Sequence, residues 1–351
     1  MNALKTAFLK NANYNLDQLL LIDKIISFLT ELQKKGCQTK NVLHNLICDF
    51  IVMYTPLPTK QHQQFIVFDK KIGSGSYGNI YDSGDFEMMP IVTKSSTKFR
   101  EDNIKEIFVN VVIINSLLLT THSNHLIPTF GIFICSHGYS RKKLVSICET
   151  KNEFPNIHLV QLKITGKTLY KVLKKNISLF WFKKMLSQIL SILIDLEKSK
   201  YNLYHRDLHT GNIMIDDATM SPYVIDFGLA SFEIKVNDKQ IEYCYTDEIL
   251  YNGRRIKSAA YDVVALLCSC YQDTKNQEIK IYCKKILHSL CGSLWSAENK
   301  TVDLLELETY HLYSQLYRAE NLLSLDEMER VHRHNMDIIN SITYSSFKDF
   351  V

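Results

Sequence analysis

The sequence predicts an α+β protein with room for two lobes, and three observations carry that prediction. Strand-like runs at 65–72, 79–81, 90–94, 130–136, 144–148 and 156–164 occupy the middle of the chain. Long apolar stretches with helical spacing follow, at 179–197, 262–271 and 277–290. A length of 351 residues with 46% hydrophobic and 22% charged content suffices for a substantial buried core.

Residues 1–65 read as a helical N-terminal extension to a main domain at 66–350. Leu16, Leu19, Leu20, Ile22, Ile25, Ile26 and Leu29 share one broad face of a helix that starts near Asn15, and 41–54 repeats the pattern until Pro56 and Pro58 stop it. Two helices padding the main domain are expected there, with a docking or regulatory module as the alternative.

The strand at 65–72 leads into Ile72–Gly73–Ser74–Gly75–Ser76–Tyr77–Gly78–Asn79–Ile80, a G-x-G-x-x-G loop whose backbone N–H groups can approach phosphate oxygens without Cβ interference. A dinucleotide-binding loop would open a helix. Here 79–81 returns as a strand, and no Gly-Lys-Ser/Thr marks a P-loop. A phosphate-covering hairpin is therefore expected, with Ile72 and Ile80 on its flanks. The next strand carries one lysine, Lys94, sixteen residues after Gly78, placed to meet the α- and β-phosphates; Lys98, after a polar run, is its competitor. The helix at 104–119 then offers Glu106 to hold that lysine, with Glu101 and Asp102 just ahead as alternatives.

Of the later strand-like runs, 156–164 comes last before a turn at 165–167 and a short helix at 168–173. Its residues 160–163 are the expected strip for an adenine edge, by position in the chain.

The densest chemistry lies in 204–228. Asp207 and Asp226 stand on either side of two apolar runs and a polar turn, and Asn212 follows Asp207 by five residues. Strands joined by a turn return the chain on itself, so Asp207, Asn212 and Asp226 can face one small volume. A carboxylate to orient a hydroxyl, and an Asn/Asp pair to hold a divalent cation, are the parts that phosphoryl transfer needs. Asp216 and Asp217 read as solvated turn residues. The helix at 179–197, apolar on most sides, is expected to be buried beneath this loop.

Taken in order, Gly73-x-Gly75-x-x-Gly78, Val92-x-Lys94, His205–Arg206–Asp207, Asn212 and Asp226–Phe227–Gly228 resemble the eukaryotic-type protein kinase signature over roughly residues 66–290. That resemblance implies a bilobal fold with a small β-rich N-lobe at about 66–163 and a larger helical C-lobe at about 164–350. It also implies ATP and Mg²⁺ as cofactors, Asn212 and Asp226 as metal ligands, Phe227 packed between lobes, and Asp262 as the aspartate opening a bracing helix. Asp207–Leu208–His209–Thr210–Gly211–Asn212 has histidine where protein kinases usually carry lysine, and is similar to haspin-type divergent kinases and to phosphotransferases of aminoglycosides or choline. His209 can give a phosphate a hydrogen bond but less charge than lysine.

The expected function is that of an ATP-dependent serine/threonine protein kinase, with Asp207, Lys94, Asn212 and His209 catalytic. Ile72, Gly73, Gly75, Gly78, Ile80, Lys94, Glu106 and Asp226 would bind the cofactor. A small-molecule phosphotransferase or a kinase-like binding scaffold is the alternative. The segment 229–258 lacks Ala-Pro-Glu, with Glu248 as a substitute for its glutamate; Ser231, Tyr243, Tyr245 and Thr246 are hydroxyls that a phosphate there would need, and Arg206 could pair with it.

Composition narrows the partners. A net charge of +4 suits an anionic ligand, yet no dense Lys/Arg stripe marks a nucleic-acid surface. Nine cysteines, an odd number and several in apolar runs, fit reduced intracellular thiols, and Cys268-x-Cys270 lacks a second pair for zinc. The N-terminus has no secretion pattern, and the apolar window 107–120 is short and interrupted by Asn110 and Asn115, so it reads as a buried helix and not a membrane segment. An intracellular protein is expected, in the host cell if viral. Helical patterns continue at 302–316 and 325–342, where His332, His334 and Asp337 read as a solvated face.

Overall fold

A computed structural model describes residues 70–75, 78–86, 89–96, 106, 108–120, 125–134, 137–140, 143–146, 157–236, 239–243, 261–291, 294–295, 301–302, 341–343 and 346–347. The expected helices at 15–29 and 41–54, Glu101, Asp102, Lys98, Glu248 and the His332–Asp337 group lie outside the described residues. The described chain forms two compact units. One holds the residues up to Ile164 with 199–202 and 226–243; the other holds 165–198, 203–225 and the residues from 261 onward.

The first unit is an antiparallel sheet of β1 (Lys70–Gly75), β2 (Gly78–Phe86), β3 (Met89–Ser96), β4 (Thr129–Ile134) and β7 (Ile157–Leu162), in the order β1-β2-β3-β7-β4. A separate hairpin pairs β5 (His137–Ser140) with β6 (Lys143–Ser146). The two-residue side-chain period sorts β3 from 91 to 95: Ile91, Thr93 and Ser95 are buried, while Val92 and Lys94 point to the other face. On β7, His158 is buried with Nδ1 2.8 Å from Ser95 Oγ, and burial holds its pKa down to about 4.

The expected helix at 104–119 is present but not uniform. Val109–Ile114 is π-helical and Asn115–Thr120 is α-helical. Asn110 Nδ2 donates to Glu106 O at 2.8 Å, occupying the carbonyl that an α-helical N–H at 110 would use, and the ladder takes the wider register. Asn115 bonds both the N–H and the C=O of Thr129, at 3.0 and 2.8 Å, so each buried amide has a partner. Phe108, Val109, Val111, Ile113, Ile114 and Leu117 form the core with Ile91 and Leu159. Phe108 also stacks on Phe232, 5.3 Å between centroids, from the hairpin of β11 (Phe232–Val236) and β12 (Lys239–Tyr243).

In the second unit β8 (Gly166–Thr168), β9 (Ile213–Asp216) and β10 (Pro222–Val224) form a small sheet in the order β10-β9-β8. Its helices are Leu169–Leu173, Leu179–Lys198, Tyr261–Asp273 and Gln277–Cys291, followed by a short ladder of β13 (Leu294–Trp295) and β14 (Thr301–Val302). The helix at 179–197 was expected to be enclosed on most sides, and this is corrected. Phe182, Met185, Leu186, Ile189, Leu190, Leu193 and Leu196 are buried, but Lys184, Ser187, Ser191 and Lys198 mark a solvent-facing stripe. The helix enclosed nearly all round is Tyr261–Asp273, which has no lysine or arginine to demand water. Among the described residues no helix is long and apolar enough to cross a membrane.

Candidate active site

Three charges meet in the first unit. Lys94 Nζ lies 2.5 Å from Glu106 Oε1 and 3.0 Å from Asp226 Oδ1, so Glu106 holds the lysine as expected. Burial alone works against the charge on Lys94, but the two carboxylates outweigh it and raise its pKa above the ordinary lysine value. Glu106, nearly inaccessible, is pushed up by its burial, with Lys94 opposing and the second carboxylate, Asp226, adding to the rise. Asp226 is held at φ 63°, in the left-handed region, a backbone strain of the kind stored at functional positions.

The glycine segment is the expected hairpin. Gly75 faces Gly78 across the turn, and Gly73 lies opposite Ile80. The glycines serve different ends. A Cβ on Gly78 would lie 2.3 Å from Ser95 O, so its bare backbone is required for β2 to pair with β3. A Cβ on Gly73 would make only ordinary contact with Ile80, at 3.5 Å. Packing therefore explains the last glycine and leaves the first for another purpose. Ile72 is 44% exposed and Ile80 half-buried.

The strip at 160–163 needs correction. Strand β7 lies between β3 and β4, Leu162 N donates to Pro128 O at 3.2 Å, and Lys163 N donates to Pro90 O at 2.8 Å. Position in the chain could not reveal that these N–H groups are spent inside a sheet. Lys163 Nζ, 2.6 Å from Asp82 Oδ2, ties the end of β7 back to β2.

In the second unit the loop from His205 to Asn212 is held along one helix. Asp262 Oδ2 and Oδ1 accept from the backbone N–H of His205 at 2.8 Å and Arg206 at 2.7 Å. Burial raises the Asp262 pKa, and Arg206, His205 and those two N–H groups oppose the rise. With both N–H groups turned to one carboxylate, Arg206 takes φ 65°. Its guanidinium lies over the Tyr204 ring at 4.5 Å. His205, fully buried, donates from Nε2 to Ile225 O at 2.9 Å and accepts the Asp207 N–H at Nδ1, 3.3 Å, which fixes the tautomer and the start of Asp207.

Asn212 Nδ2 donates to Asp207 O at 2.9 Å and Asp207 Oδ2 at 3.2 Å, so the two expected residues are brought together. The amide nitrogen is committed to Asp207, which leaves Oδ1 as the group Asn212 can offer a cation. His209 caps the 3₁₀ turn Thr210–Asn212, its Nδ1 accepting from Gly211 N at 3.0 Å. That bond needs an unprotonated Nδ1, so the ring is neutral and carries its proton on Nε2.

Sequence reasoning missed the far end of this loop. Thr210 N donates to Ser269 Oγ at 3.0 Å, and the Thr210 hydroxyl donates to Asp273 Oδ2. The signal was available: Asp262, Ser269 and Asp273 fall on one line of a mostly apolar helix. Other expectations resolve simply. Asp216 caps its turn by accepting from Thr219 N at 2.8 Å, and Asp217 is exposed. Ser231 is 4% exposed, which removes it from the hydroxyls open to phosphorylation. Cys270 and Cys283 are buried thiols, with pKa values raised by that burial, and Cys268 is buried beside them. Among the described residues no cluster of His, Cys, Asp and Glu is arranged to hold a metal.

A family model described as the haspin-like kinase domain matches residues 37–267, from within the segment assigned to the N-terminal extension to the middle of the helix that carries Asp262. No curated protein matches the chain by sequence.

Proposed function

This chain belongs to the haspin-like kinase family, and from that premise we propose that it is an ATP-dependent protein kinase acting on serine or threonine hydroxyls. The observation that carries the reading is the Lys94–Glu106–Asp226 triad, a lysine held charged by two carboxylates that come from distant parts of the chain. Such a lysine suits the α- and β-phosphates of a nucleotide. The domain assignment that goes with it is a bilobal kinase domain at 66–350 behind a helical extension at 1–65, in an intracellular protein.

Asp207 orients the acceptor hydroxyl. The hydroxyl oxygen forms a bond to the γ-phosphorus, the bond from that phosphorus to the bridging oxygen breaks, ADP leaves, and the hydroxyl proton passes to the Asp207 carboxylate. Asn212 Oδ1 and Asp226 offer hard oxygen donors of the kind Mg²⁺ prefers, and the ion, when bound, neutralises phosphate charge. His209 offers one neutral donor, Nε2–H, to a phosphate oxygen. Gly73, Gly75 and Gly78 cover the phosphates, with Ile72 and Ile80 beside them.

The test is transfer from labelled ATP with Mg²⁺ to generic protein substrates and peptide libraries, followed by phosphoamino-acid analysis. The Asp207→Asn variant is expected to lose roughly 10²–10⁴-fold in kcat with folding intact. Equal labelling by both proteins would overturn the role of Asp207. Turnover of small metabolites with no protein labelling would overturn the protein acceptor.

A further inference from the structure

The helix Tyr261–Asp273 carries Asp262, Ser269 and Asp273 seven and eleven residues apart. At 3.6 residues per turn these positions fall within about 20° of one line along the helix. All three are buried, at 0%, 1% and 3% exposure, on a helix whose other residues are apolar but for Gln272 and two tyrosines. A buried polar group is costly unless bonded, and all of these are bonded to the same loop. Asp262 takes the N–H groups of His205 and Arg206 at the front. At the rear, Ser269 accepts from Thr210 N at 3.0 Å and its hydroxyl donates to Thr210 Oγ1 at 3.0 Å, while Thr210 Oγ1 donates to Asp273 Oδ2. Asp273 Oδ1 also faces Lys174 Nζ at 3.6 Å, beyond the helix Leu169–Leu173.

The span leaves the loop little slack. Residues 262 and 269 are about 10 Å apart along the helix axis, and the four residue steps from Arg206 to Thr210 reach at most about 14 Å. Four helical steps would cover only about 6 Å, so the chain between the two anchors is drawn out past a helical turn even with the left-handed residue at Arg206, and Asp207 lies inside that stretch. The rear anchor also fixes where the 3₁₀ turn Thr210–Asn212 begins, and so where Asn212 presents its oxygen.

We propose that Ser269, Asp273 and Thr210 form a second tether of the loop, acting as positioning residues that aim Asn212, and through it Asp207, at the metal-bound phosphates. The inference rests on the phosphotransferase reading and names a part of that machinery the sequence motifs do not include.

The test uses the full chain and measures ATP affinity by calorimetry with Mg²⁺ and with EDTA, alongside kcat, KM and the thermal midpoint. Thr210→Val keeps the shape and the backbone bond but removes the hydroxyl. It is expected to cut the Mg²⁺-dependent gain in ATP affinity roughly tenfold and kcat by roughly 10–100-fold, the cost found when a group that orients a metal ligand is removed. Metal-free affinity should stay within about twofold, and Thr210→Ser should restore both quantities. Ser269→Ala carries the same expectation if Thr210→Val does not fold. A wild type that binds ATP equally with Mg²⁺ and EDTA would sink the phosphotransferase reading and the tether with it. A wild-type Mg²⁺ dependence retained in full by the folded variant, or metal-free affinity falling in parallel, would overturn the tether alone.

Discussion

The two groups of residues assigned to one reaction are held by opposite means. Around Lys94 the order is made by charge: one cation between two carboxylates, one of them deeply buried. Around Asp207 it is made mainly by neutral donors. Backbone N–H groups and a hydroxyl run to Asp262, Ser269 and Asp273, and Lys174, 3.6 Å from Asp273 Oδ1, adds a looser ionic contact at the far end. A charge cluster tolerates small shifts of its members, because Coulomb attraction falls slowly with distance. Hydrogen bonds do not, since they weaken steeply with distance and angle. The first unit is thus built to keep a charge state, and the second to keep a geometry.

The largest effect separating the two designs should come from Lys94→Met against Asp262→Asn. Removing Lys94 strands Glu106 without its cation, a loss of about 3–5 kcal/mol near neutral pH. Glu106 already has a raised pKa, so a carboxyl that prefers its proton when folded contributes stability at low pH that is lost as pH rises through that pKa. The penalty of Lys94→Met, measured against wild type at each pH by denaturant unfolding, should therefore shrink as pH falls. Asp262→Asn leaves one backbone N–H facing an amide NH₂, a loss of about 1–3 kcal/mol. Above the raised Asp262 pKa that loss should not depend on pH. Parallel pH profiles for the two variants would remove the distinction.

A second contrast concerns acid. His158, folded, has its pKa depressed from 6.5 to about 4, so its contribution is present above pH 6.5 and is lost as pH falls toward 4. That shift corresponds to about 3 kcal/mol across the window. His158→Gln should flatten this limb of the unfolding curve; a limb of undiminished steepness would move the acid sensitivity elsewhere.

The smallest contrast lies within the glycine hairpin. Gly78→Ala should cost about 1–3 kcal/mol, because backbone must move to admit the Cβ. Gly73→Ala should stay within about 0.5 kcal/mol by thermal unfolding. If the first glycine serves phosphates, its alanine should raise the KM for ATP while the fold is untouched.

Much of this was legible in the sequence, and the failures share a cause. Lys94, Glu106 and Asp226 can be read because each is an ionisable residue on an apolar element, where burial demands a partner. The β1–β2 hairpin follows from the strand that returns after Gly78. Thr210, Ser269 and Asp273 escape notice because a threonine in a loop and a serine in a helix are common everywhere, and only a helix closed nearly all round gives them meaning. The strip at 160–163 fails likewise: which edge of a strand is paired depends on strands whose partner residues lie 23 to 71 positions away. Local pattern gives an element's type, and its neighbours decide which backbone groups remain for a ligand.

Gly211 has no room for a methyl group while His209 lies where it does, since an added Cβ would sit 2.6 Å from the imidazole Cε1. The two positions are therefore a single unit of substitution. Alanine at 211 would push the ring aside and cost the Gly211 N–H its acceptor, and lysine at 209 would make room but leave that N–H equally without one. Any redesign that restores a fixed cation to this loop has to begin by rebuilding the residue that has no side chain.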